Sequence, residues 1–148
     1  MIVLDTNVVS EVMKAQAEPR VLNWFRVQDT QDLAVTPITL AEINIGLARM
    51  PESRRRFNLQ ARLHAFVSRG LGSRVFGFDT AAATVYGDVV VARERSGRPL
   101  AGFDGLIAEI VRARGAVIAT RNVSDFSNCG VPVVNPWDGP DPGHRHPE

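Results

Sequence analysis

The chain has one cysteine, one lysine and one tyrosine, and none of its apolar runs is longer than a few residues. With Cys129 alone, an internal disulfide and a cysteine-cluster metal site are both excluded. No apolar stretch approaches the length of a membrane span, and the apolar start IVL at residues 2–4 is cut off by Asp5. The expectation is a cytoplasmic protein with no membrane segment and no leader. Of 17 basic residues only Lys14 is a lysine. Arginine suits bidentate contact with phosphate or carboxylate, although a genomic codon bias gives the same count. The formal charge is +1, so any pull on nucleic acid must come from local patches.

What is present is enough apolar material for one domain, 45% of 148 residues,. Four short runs read as buried strands: IVL at 2–4, LAV at 33–35, VFGF at 75–78 and VIA at 117–119. VPVV at 131–134 is a weaker fifth. Between them apolar residues recur at helical spacing: Leu40, Ile43, Leu47, Met50; Ala82, Val85, Tyr86, Val89; Phe103, Leu106, Ile107, Ile110, Val111,. Residues 49–71 read as a further helical segment interrupted near Pro51. Strands alternating with helices imply an α/β domain whose central, mainly parallel sheet has four or five strands flanked by helices. GPDPGHRHPE, residues 139–148, has the composition of a disordered tail, and its His144 and His146 read as inert,.

In a parallel sheet, ligands bind beyond the carboxyl ends of the strands. Asp5 stands there, and so do Thr120, Arg121 and Asn122 after VIA. Glu42 follows LAV through a short loop and opens a helix. Asp104 opens the helix that precedes VIA, so its arrival at the same edge depends on the topology. Each acid has a plainer reading too. Thr39-Leu40-Ala41-Glu42 is written as a capping box, and Asp104 suits a helix cap or first turn. Asp5 could cap the short VVSEVM helix.

Taken together, MIVLDTNVVSE, PITLAEINIGLARM, LAGFDGLIAEIVRARG, ATRNVSDF and VVNPWD resemble PIN-domain proteins of the VapC toxin type, FitB-like subgroup. The resemblance runs from Met1 to Asp138 and implies that residues 1–138 form a PIN domain. It implies a toxin of a type II toxin–antitoxin system, an endoribonuclease dependent on Mg²⁺ or Mn²⁺, with Asp5, Glu42 and Asp104 as catalytic and metal-holding acids. Clustered carboxylates repel unless a cation neutralises them, and hard oxygen donors suit these ions better than Zn²⁺. Thr6, Asn7 and Thr120 are expected to orient the acids, with Glu11 a further candidate. The sequence departs from the family pattern after VIA, where Asn122 replaces an aspartate and Asp125 follows three residues later. Asn122 still offers a carbonyl oxygen, and Asp125 reads as a brace of the NVSDF turn.

The resemblance further implies a VapB-type antitoxin, a homodimer that forms a higher assembly with it, operator DNA bound through the antitoxin, and an RNA substrate. VVSEVM and VLNWFRV are apolar enough to leave a groove for a partner, although Trp24 and Phe25 also read as core. Arg54 to Arg56, Arg93, Arg95, Arg98 and Arg121 are candidates for a phosphate track. A receiver domain is excluded because it needs an acidic pair at the first strand and a lysine at the last. A haloacid-dehalogenase phosphatase is excluded because it needs an acid at position 7. The remaining rival is a degenerate, non-catalytic PIN domain that binds RNA or antitoxin.

Overall fold

The computed structural model describes residues 1–99 and 102–139. The expected tail from Gly139 onward lies outside them apart from Gly139 itself. Strand β1 (Ile2–Leu4) leads through α1 (Thr6–Val12) and α2 (Pro19–Arg26) to β2 (Leu33–Ala34). Helices α3 (Pro37–Arg49), α4 (Arg54–Ala65), α5 (Thr80–Arg95) and α6 (Gly102–Ala113) follow before β3 (Val117–Ala119) and β4 (Val133–Val134). The strands lie in the order β2-β1-β3-β4, and every pairing is parallel.

Alternation along β1 divides the core. Leu4 faces Val8, Trp24, Ile43 and Leu63 on one side of the sheet, and Val3 faces Val89, Ile107, Val111 and Phe126 on the other,. Helices α1 to α4 therefore cover one face, and α5 and α6 the other. Trp24 is core, 4% exposed. Residues 49–71 break at Pro51 as expected, and Ser53 caps α4 by accepting from the Arg56 amide.

Two strand expectations change. VFGF is not a strand: Val75 makes an isolated bridge with Val35, and only Phe76 donates onward, to the Val35 carbonyl. Its neighbour cannot continue, because Thr36 turns to cap α3 and Pro37 opens that helix,. VPVV supplies the fourth strand as Val133–Val134, paired with Ile118 and Ala119. No helix among the described residues is long and apolar enough to cross a membrane.

Candidate active site

Asp5 ends β1 because it caps the next helix. Its amide still donates to the Ala119 carbonyl at 2.9 Å, in register with the sheet, and its Oδ1 accepts from the Thr6 amide at 2.8 Å,. Its Oδ2 accepts from Thr120 Oγ1 at 2.8 Å and from Asn7 Nδ2 at 3.4 Å. The capping reading and the edge reading of Asp5 are thus one arrangement, and the carboxyl is only 4% exposed.

Around Asp5 the polar residues interlock. Fully buried Thr120 also accepts from the Asn122 amide at 3.1 Å. Asn7 donates to Thr120 Oγ1 at 3.4 Å while its own Oδ1 accepts from the Arg121 amide at 3.1 Å. The first turn of α1 is therefore tied to the exit of β3. Thr6 Oγ1 reaches α3, donating to Glu42 Oε1 at 3.2 Å. Thr6, Asn7 and Thr120 thus each bond to Asp5, and Thr6 also to Glu42.

Glu42 is not half of a capping box. Thr36 caps α3 through a bond from the Thr39 amide at 3.2 Å, which shifts Glu42 into the second turn and frees its carboxyl for the edge. Asp104 occupies the first turn of α6.

Electrostatics draws these residues into one site. Burial pushes the Asp104 carboxyl up to about 6, and the charges of Asp5, Asp125 and Glu42 push the same way against Arg93. Burial also raises Asp5 against its hydrogen bonds from Thr120, Thr6 and Asn7, with Asp125 adding to the rise. Glu42 is raised by burial first and, after the opposing bond from Thr6, by Asp5. The charge of Asp125 thus bears on both Asp5 and Asp104. Its turn is a 3-10 helix, Val123–Phe126, opened by Asn122. The side chain of Asn122 makes no capping bond.

Other candidates lie elsewhere. Glu11 accepts from Lys14 Nζ at 2.6 Å and from the Glu18 amide at 2.9 Å, and those bonds hold its carboxyl low. Arg93 is buried rather than part of a phosphate track. Arg54 and Arg55 line a groove of about 800 Å³ that opens at Thr6 and Glu42 and has Met13, Ile43, Leu47 and Leu59 in its walls. Arg121 lies over the Trp137 ring, 5.2 Å from its centroid.

The donor set is hard: carboxylate oxygens, hydroxyls and an amide, with every resolved acid shift at the edge upward. A divalent cation relieves this kind of strain. As they stand, no three His, Cys, Asp or Glu side chains among the described residues converge closely enough to hold one ion.

The structure is thus a parallel α/β domain with desolvated acids beyond the carboxyl edge of its sheet. The PIN-domain family model matches residues 2–130. VapC ribonuclease Y4jK of Sinorhizobium fredii is 41% identical over 93% of this chain and 99% of its own. The tRNA(fMet)-specific endonuclease VapC of Shigella flexneri is 33% identical over 90% and 96%. Among solved structures, FitAcB from Neisseria gonorrhoeae matches with a TM-score of 0.85 and 31% identity, over 93% of this chain and 99% of that one. The chain belongs to the PIN-domain family, in its VapC toxin branch.

Proposed function

We propose that this chain is the toxin of a type II toxin–antitoxin pair, an endoribonuclease working in the cytoplasm and restrained by a VapB-type antitoxin. The observation that carries this reading is the bonded carboxyl edge of the sheet, where the Thr6 amide and Thr120 Oγ1 hold Asp5 and Thr6 Oγ1 holds Glu42. Asp5, Glu42 and Asp104 would hold the cation, and Asp125 would add the charge that Asn122 lacks. Bound there, Mg²⁺ or Mn²⁺ would supply charge neutralisation at these acids and polarisation of a phosphate.

The chain's own residues do the rest. Thr120 and the Thr6 amide fix Asp5 through opposite oxygens, Thr6 Oγ1 fixes Glu42, and Asn7 locks the two sides together. The reaction is hydrolysis. The oxygen of water bonds to phosphorus, the bond from phosphorus to the departing nucleoside oxygen breaks, and the proton of the water passes to that oxygen. No protein nucleophile is needed.

The substrate is RNA, with transfer RNA the first class to test because a relative carries that name. A homodimer, a higher assembly with the antitoxin and operator DNA bound through it complete the partners. The non-catalytic alternative draws on Asn122, and the charge of Asp125 at the cluster favours the enzyme. Asp5→Asn keeps the volume and removes a charge. We expect it to fold, to lose toxicity on expression and to lose cleavage by at least a hundredfold. Undiminished cleavage by that variant at equal purity would overturn the assignment.

A further inference from the structure

Arg93 lies near the end of α5 with 5% of its surface exposed. Burying a guanidinium is costly unless it is paired or well bonded. Among the described residues it makes no ion pair. Instead Nη1 donates to the Ser127 carbonyl at 2.8 Å, to the Ser124 carbonyl at 3.2 Å and to Ser127 Oγ at 3.2 Å. All three acceptors belong to the turn after β3, and Ser127 Oγ donates back to the Ser124 carbonyl at 2.8 Å. Asp125 lies between the two serines.

The geometry points to Arg93 as a positioning residue of the acid site, bolting to α5 the 122–127 turn that carries Asp125 and whose Asn122 amide donates to Thr120 Oγ1, the hydroxyl that holds Asp5. A turn of irregular backbone after a three-residue strand has little of its own to hold it, and Arg93 Nη1 gives it a fixed anchor while the buried Nε finds no partner. The buried cation also opposes the charge crowding at Asp104. This inference rests on the reading of the acids as a cation site.

The test is Mn²⁺ titration calorimetry on the full chain, with folding checked by circular dichroism. Partners that orient metal ligands are worth roughly 10- to 100-fold in affinity. Arg93→Gln should weaken Mn²⁺ binding by about tenfold or more on that scale, and Arg93→Lys should recover part of it. Because Arg93 acts through Asp125, Arg93→Gln should cost nothing further in an Asp125→Asn background. Arg74 is the control. It is as heavily bonded, to the carbonyls of Leu33, Thr30 and Gly70, but none of its partners is a site residue. Arg74→Gln should lower the melting temperature and leave Mn²⁺ affinity unchanged. Unaltered Mn²⁺ affinity in Arg93→Gln, or equal losses with and without Asp125, would overturn the role of Arg93. If Arg93→Gln does not fold, Arg93→Lys is read by the same cycle, with a smaller loss that again vanishes in the Asp125→Asn background. A wild-type chain that takes up no Mn²⁺ would overturn the cation site itself, and this inference with it.

Discussion

At the scale of single residues, position along the chain and local chemistry carry different amounts of information. Asp5 was legible because it closes an apolar strand at the carboxyl edge of the sheet, and its cap of α1 places it at that same edge,. Glu42 was ambiguous, since Thr39 stands three residues before it at the start of a written capping box,. The proline at position 37 decides it by opening the helix one residue after Thr36,. Glu109 had no signal at all. It sits in an apolar helix, fully buried, with neither carboxyl oxygen hydrogen-bonded, because α5 packs against α6. Burial pushes its carboxyl from 4.5 up to about 7. A raised carboxyl favours the folded state while it stays protonated. Its contribution is present below the ordinary value and is lost as pH rises through about 7,. Glu109→Leu should therefore flatten this part of the stability profile, so that its melting temperature gains on wild type between pH 5 and pH 8. A constant difference across that range would show that Glu109 is not held neutral.

At the scale of elements, strands of two and three residues lie close to the limit of sequence reading. VFGF and VPVV look alike as apolar runs, and pairing separates them: VPVV finds the exposed edge of β3, whereas VFGF meets a neighbour that turns away at Thr36. The helices were more legible because their spacing runs over several turns. Their ends matter most where they aim an acid. Thr36 is fully buried and caps the helix carrying Glu42. Thr36→Ala should cost about 1 kcal/mol, or roughly 2–4 °C in melting temperature for a domain of this size. It should also weaken cation binding, since Glu42 rides on the first turns of α3. Calorimetry of the same variant reads both, and an unchanged melting temperature would show that the cap is not holding the helix.

At the scale of the whole molecule, the function depends on bringing together segments about a hundred residues apart. Periodicity could not do this, because Asp104 reaches the edge only through the packing of α6 on α5 and α3. The family resemblance named Asp104 where local pattern could not, and it left Asp125 as a brace of its turn. A cation that binds only the folded chain must stabilise it by mass action. The melting temperature should rise with Mn²⁺ concentration in the wild type and much less in Asp104→Asn.

The most direct measurement is cleavage of a transfer RNA pool by purified chain freed of any partner, in Mg²⁺, in Mn²⁺ and in EDTA, beside Asp104→Asn. The account predicts defined cuts with either metal, none in EDTA and none with the variant. Cutting that persists in EDTA, or that survives Asp104→Asn at equal purity, would contradict it.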